Sequence, residues 1–237
     1  MSKNGTKFRY SWVLFDADHT LFDFDRAAEK SISITAQEFG IEQPLNYQEY
    51  HQINRRCWEE YERGEIDRET LRYKRFKEFF LINDISADPL SFHDQYLDRL
   101  AKLPYLMDYA LEILEHLHGR VKMGIVTNGL PEVQRPRLKN AKLTRKFDVI
   151  LVAGEVGVAK PQPAYFDLAF QEMGSPSKEE VIIIGDSTTS DIKGGEQYGI
   201  DTCWFNPTKM ENRAGVQPTF EIKHLSELHS VLELSEE

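Results

Sequence analysis

The amino-acid sequence predicts an α/β protein: a doubly wound parallel sheet, interrupted near its start by an inserted all-helical domain. Three observations predict it. The stretch 10–21, YSWVLFDADHTL, opens as an apolar run (Trp12, Val13, Leu14, Phe15) and breaks into Asp16, Asp18 and Thr20. Such a run is too short for a buried helix and suits a strand covered on both faces. From Val121 onward, β-branched runs alternate with helical stretches, as right-handed βαβ crossovers require. Roughly a hundred residues separate Asp16 from Val121, whereas a crossover needs only about a dozen.

That interval reads as helix throughout. Ala28, Ile32 and Phe39 share one face, and Gly40 is placed to cap it. Asn46, with Glu49 three residues on, reads as a capping box ahead of a stripe of Tyr47, Tyr50, Ile53, Cys57, Trp58 and Tyr61. Gly64 closes that helix. Asp67 opens a third, carrying Leu71, Phe76, Phe79 and Phe80, and the pair Asp88-Pro89 opens a fourth with Phe92, Tyr96 and Leu100 inside. The expected division is a helical domain at 23–103 and an α/β core of 1–22 with 104–237, the insertion starting directly after the Asp pair and so placed as a lid. Strands are expected at 121–127, 148–153, 181–185 and 200–205, with helices at 111–117, 132–138, 165–173 and 191–198 between them. Pro136 should kink the second of these helices or delay its start. The acidic tail, 233–237, is expected to fray.

Composition narrows the function. The 237 residues are 41% hydrophobic and 29% charged, which suits a soluble globular protein with a full core. A net charge of −10 argues against non-specific nucleic-acid binding. An anionic substrate must then be captured by local donors or a metal, not by the overall field. Cys57 and Cys203 fall in a helix and a strand, with no zinc-type spacing, and read as reduced core residues. No apolar run spans a bilayer and the first ten residues lack an apolar leader pattern, so no membrane partner and a cytoplasmic location are expected.

Each later strand ends in polar residues. The second runs into Thr127-Asn128-Gly129, the third leads through a loop to Lys160-Pro161, and the fourth ends in Gly185-Asp186 with Asp191 five residues on. Singly, these are a turn, a solvated lysine and a helix cap. Together with Asp16 and Asp18 they all fall at carboxyl ends of parallel strands, where ligand crevices form in such sheets.

In order, Asp16-Ala17-Asp18-His19-Thr20, Thr127, Lys160 and the Asp186/Asp191 pattern resemble the four motifs of the haloacid dehalogenase superfamily. The helical insertion resembles its C1-type cap. The stretches EVGVAKP (155–161), GDSTTSDIKGG (185–195) and GIDTCWFN (199–206), with the segment around Trp58, Tyr61 and Gly64, resemble the YjjG-like pyrimidine 5′-nucleotidases. The resemblance implies a Rossmann-like core of strand order 5-4-1-2-3, with the Asp16 strand central.

It also implies phosphomonoester hydrolysis through an aspartyl-phosphate, which the residue types suit. Asp16 would be the nucleophile and Asp18 the acid and base. Asp16, Asp186 and the Asp18 backbone carbonyl would hold Mg²⁺. Lys160 would supply fixed positive charge, Thr127 and Asn128 would bind the phosphoryl group, and Asp191 would support Lys160 or a metal-bound water. The implied substrate is a small phosphorylated metabolite, a pyrimidine nucleoside monophosphate foremost. Phosphoglycolate or sugar-phosphate phosphatases and phosphomutases share the same motifs. A dehalogenase would carry a non-acidic residue in place of Asp18, and a non-enzymatic binding module has no need of the full set. In the helical insertion, Trp58 and Tyr61 could stack on a base, with Arg63 or Arg68 meeting an anion. Their helical spacing is already explained if the aromatics fill that domain's own core and the arginines are solvated.

Overall fold

A computed structural model of the chain describes residues 7–212 and 214–234. The chain divides into two compact units, Met1–Phe24 with Tyr105–Glu237, and Asp25–Pro104.

The second unit is helical: α1 (Phe24–Glu38) enters it, followed by α2 (Tyr47–Glu62), α3 (Arg68–Ile82) and α4 (Pro89–Ala101). Local chemistry sets its helix starts. Asn46 accepts from the amides of Gln48 and Glu49, Asp67 from Thr70 and Asp88 from Ser91, with Pro89 in the first turn of α4. The reciprocal half of the expected capping box goes elsewhere, since Glu49 accepts from Asn83 Nδ2 at 2.6 Å. Tyr50, Phe76, Phe79, Phe80, Phe92 and Tyr96 fill the interior, and Cys57 is buried among the helices as a free thiol. Trp58 and Tyr61 lie edge-to-face 5.8 Å apart but are only half-buried, so the apolar stripe of α2 reaches beyond the packed core. Arg63 is exposed and paired with Glu65.

The first unit is built on six parallel strands: β1 (Trp12–Phe15), β2 (Lys122–Thr127), β3 (Val149–Val152), β4 (Val181–Gly185), β5 (Asp201–Phe205) and β6 (Phe220–Ile222). Their order is β3-β2-β1-β4-β5-β6, which places β1 inside the sheet between β2 and β4. The expected order is present with β6 added outside β5. The connecting helices are α5 (Ala110–Leu117), α6 (Pro131–Asn140), α7 (Ala153–Val156), α8 (Pro163–Glu172), α9 (Lys193–Tyr198) and α10 (Leu228–Leu232). Alternation along the strands feeds two apolar layers. Val13, Phe15, Ile125, Ile182 and Ile184 pack with α5 and α10, while Trp12, Leu14, Leu151 and Ile183 pack with α8. Buried on both faces, β1 is held by its neighbours rather than by solvent-facing polarity.

Several expectations shift. Ala153 leaves the third strand because a four-residue helix begins there. The helix expected at 191–198 is a π-turn, Thr188–Ile192, running into α9. Pro136 neither delays nor ends α6, which starts at Pro131 and continues to Asn140. The tail is held at its start: Glu233 accepts from His116 Nε2 and His229 Nδ1, and the Leu234 amide donates to the Lys7 carbonyl. The rest of the acidic tail, 235–237, and most of the leader reading at 1–10 lie outside the described residues. Among the described residues no helix is long and apolar enough to cross a membrane.

Candidate active site

The site is assembled at the carboxyl edge of the sheet in the first unit. β1 ends at Phe15 and the chain turns at once. The amides of Leu21 and Phe22 both donate to the Ala17 carbonyl, and His19 takes a left-handed conformation at φ 60°. Ala17 is buried in the core, and the two carboxylates flank it. The Asp16 amide donates to the Ile184 carbonyl at 2.9 Å, which ties the nucleophile candidate to β4.

Lys160 is the hub. Its Nζ donates to Asp16 Oδ1 at 2.5 Å, to Asp191 Oδ1 at 2.6 Å and to the Val126 carbonyl at 2.6 Å, using all three ammonium hydrogens. The side chain is buried, as are Asp16 and Asp191. Burial works against the charged ammonium, but Asp16 and Asp191 more than offset it and hold Lys160 above its ordinary value. Burial raises the Asp16 carboxyl well above the usual range; Lys160 opposes this, and Asp191 and Asp186 add to it. Asp186 is pushed up to about 8, by burial first and then by Asp191. Three carboxylates thus crowd one ammonium, a charge imbalance that a further cation would relieve.

The π-turn brings Asp191 into place. Its Oδ2 accepts from the Ser187 amide at 3.0 Å while Oδ1 holds Lys160. A side chain at Gly185 would set a Cβ 2.2 Å from Asp191 Oδ2, so the fold-back requires glycine there. Thr20 Oγ1 lies 3.4 Å from Asp186 Oδ1, and Trp204 Nε1 donates to the Asp186 carbonyl at 2.9 Å.

Asn128 does something the sequence does not announce. Its Nδ2 donates to the Lys160 carbonyl and its Oδ1 accepts from the Lys160 amide, both at 2.9 Å. The side chain therefore pins the backbone of the lysine loop to the end of β2. Thr127 Oγ1 accepts from the Gly129 amide at 3.1 Å, which leaves its hydroxyl hydrogen to donate to an anion.

Two residues on α6 were not singled out by sequence reasoning. Arg137 Nη2 donates to Asp18 Oδ1, and Gln134 Nε2 donates to Asp18 Oδ2 at 2.6 Å. Their spacing of three places them on one helix face. In a stretch as polar as PEVQRPRLKN that spacing gives no signal distinguishable from a solvated surface.

Asp16, Asp186 and Asp191 bring carboxylate oxygens within 4.8 Å of one another. A second group, His116, His229 and Glu233, is partly exposed and lies among α5, α10 and the residues that follow.

A sheet with its switch point at a buried Asp–Lys pair, an Asp two residues on, and two further Asp after β4 is the arrangement of one hydrolase class. The chain belongs to the haloacid dehalogenase-like hydrolase family, whose pattern its residues 13–205 match. It is 32% identical over 231 residues to the pyrimidine 5′-nucleotidase YjjG of Escherichia coli, across 94% of this chain and 98% of that one. It is 31% identical over 226 residues to the pyrimidine 5′-nucleotidase PynA of Streptococcus pneumoniae, across 94% and 95%. Among solved structures, that of the HAD-hydrolase YfnB from Bacillus subtilis bound to magnesium matches with a TM-score of 0.88 at 33% identity, covering 94% of this chain and 98% of that one.

Proposed function

We propose that the chain is a Mg²⁺-dependent phosphomonoester hydrolase acting through an aspartyl-phosphate on Asp16, with pyrimidine nucleoside 5′-monophosphates as its substrates. The observation that carries this reading is the buried Lys160 ammonium bonded to Asp16 and Asp191 beside Asp186.

The donor set fits the ion. It consists of hard carboxylate oxygens without cysteine or histidine, as Mg²⁺ prefers. Asp191 already engages both oxygens, on Lys160 and on the Ser187 amide. Asp16, Asp186 and the Asp18 backbone carbonyl are then the groups that would hold it. When bound, Mg²⁺ supplies the charge that lets an anionic phosphoryl group approach an anionic carboxylate.

The chain's own residues do the rest. Asp16 attacks phosphorus while Lys160 balances its charge, and Asp191 with the Asn128 amide keeps that lysine in register. Thr127 donates its hydroxyl hydrogen to a phosphoryl oxygen. Asp18 protonates the departing alkoxide and then takes a proton from the water that attacks the acyl phosphate. The nucleotide reading draws its support from the two relatives named pyrimidine 5′-nucleotidases.

The test is a panel of nucleotides, sugar phosphates and phosphoglycolate assayed for phosphate release. Activity should vanish in chelator, return with Mg²⁺ and return poorly with Ca²⁺, whose looser coordination would let a carboxylate bind through both oxygens. Pyrimidine monophosphates should have the highest kcat/KM. A preference for phosphoglycolate or a hexose phosphate would reject the nucleotidase reading, and full activity in chelator would reject the metal.

A further inference from the structure

We propose that Gln134 and Arg137 are positioning residues that fix the carboxyl of Asp18 for proton transfer; the inference rests on the phosphatase reading above. Arg137 is fully buried on α6, with its guanidinium 4.4 Å from the centre of the Phe22 ring. Burying an arginine is costly unless it is paired, and an apolar residue would pack this helix on the sheet at lower cost. Its Nη2 goes to Asp18 Oδ1, while Nε and Nη1 are buried with no hydrogen-bond partner among the described residues. Gln134 is buried in the same way. Its Nε2 goes to Asp18 Oδ2, and its Oε1 is likewise unpartnered. Both side chains therefore direct their polar contacts at one carboxyl group.

The approach of Gln134 is built into the backbone. A Cβ on Gly129 would lie 2.2 Å from Gln134 Nε2. The glycine after Thr127-Asn128 is thus the gap through which the amide reaches Asp18. Phe22, which closes the turn after β1, supplies the face on which the guanidinium rests.

One donor on each oxygen has a definite consequence. The carboxyl plane cannot rotate about its Cβ–Cγ bond without breaking both contacts. Each oxygen nevertheless keeps a second lone-pair site. Asp18 can then carry a proton in a fixed orientation and deliver it. In the first step the Asp16 oxygen–phosphorus bond forms, the phosphorus–leaving-oxygen bond breaks, and the Asp18 proton passes to the leaving oxygen. In the second step water oxygen bonds to phosphorus, the Asp16 oxygen–phosphorus bond breaks, and the water proton returns to Asp18. Both transfers need the same carboxyl held in place.

The experiment compares wild type with Gln134→Met, Arg137→Met and Arg137→Lys in the Mg²⁺-loaded enzyme, on a nucleoside monophosphate and on p-nitrophenyl phosphate. The readout is kcat/KM, which reports the step that expels the leaving group. A nucleoside alkoxide needs a proton as it leaves, and p-nitrophenolate does not. Gln134→Met should lower kcat/KM for the nucleotide about 10-fold or more and for p-nitrophenyl phosphate by less than about 2-fold, since small misplacements of a catalytic group carry losses of this order. Arg137→Met should show the larger selective loss and Arg137→Lys a partial recovery. If Arg137→Met fails to fold, which a melting curve shows, Gln134→Met decides alone. Equal losses on both substrates, or none on either, would overturn the positioning role. A wild type that turns over neither substrate would overturn the phosphatase reading and this inference with it.

Discussion

At the scale of single residues, the site is a balance between one buried ammonium and three carboxylates, so two substitutions there should have opposite effects on stability. Lys160→Met leaves Asp16 and Asp191 buried without their cation and should destabilise the fold by about 3–5 kcal/mol, the usual cost of breaking a buried pair. Asp16→Asn removes a carboxyl that burial, Asp191 and Asp186 already disfavour in its charged form. Lys160 keeps Asp191 and the Val126 carbonyl, so the melting temperature should hold or rise while phosphate release is lost. Melting curves and a phosphate assay check both, and a drop in melting temperature for Asp16→Asn as large as that for Lys160→Met would contradict this balance. The placing of Asp16, Asp18 and Asp186 at the sheet edge was legible because charge placed directly after an apolar run marks the end of a strand; Lys160 and Asp191 lie a loop and a turn further on and stood out only through the motif pattern. The side-chain contacts of Asn128, Gln134 and Arg137 were not legible. Each depends on what lies across from it in space, and an amide or an arginine in a polar stretch reads the same whether it is solvated or bonded.

At the scale of elements, the helical unit holds a buried polar contact that should set its acid sensitivity. Arg75 donates to Asn54 Oδ1 at 2.7 Å and lies 3.1 Å from His93 Nδ1. Burial, reinforced by Arg75, pushes the His93 imidazole down to about 2. An unfolded histidine takes its proton near ~6.5. Between those values the unfolded chain binds the extra proton, so stability falls as pH drops below ~6.5, by up to about 1.4 kcal/mol per unit. His93→Gln keeps an acceptor for Arg75 but cannot titrate. Its melting temperature should fall less than that of wild type between about pH 7 and about pH 5; equal falls would remove His93 as the cause. The helix starts at Asn46, Asp67 and Asp88 were legible because a capping side chain acts within three residues of its own sequence. β6 and the π-turn were not. A three-residue edge strand is too short to show a period, and the turn at Thr188–Ile192 follows from Asp191 folding back over Gly185, a contact at the end of β4.

At the scale of the whole molecule, a chain of net charge −10 that acts on anions must confine positive charge to the place where it is used. Lys160 is a buried cation at the sheet edge, bonded to Asp16 and Asp191, and Arg137 is another, bonded to Asp18. The parallel order with β1 internal explains why residues as far apart in sequence as Asp16 and Asp191 meet; alternating strands and helices made the parallel sheet legible, while the order itself was implied by the family resemblance. The most direct measurement of the central claim is an acid quench during turnover of a phosphomonoester with a radiolabelled phosphoryl group, followed by peptide mapping. The label should appear on the peptide containing Asp16 and be absent from Asp16→Asn, which should also release no phosphate. Label on a different residue, or undiminished phosphate release by Asp16→Asn, would contradict it.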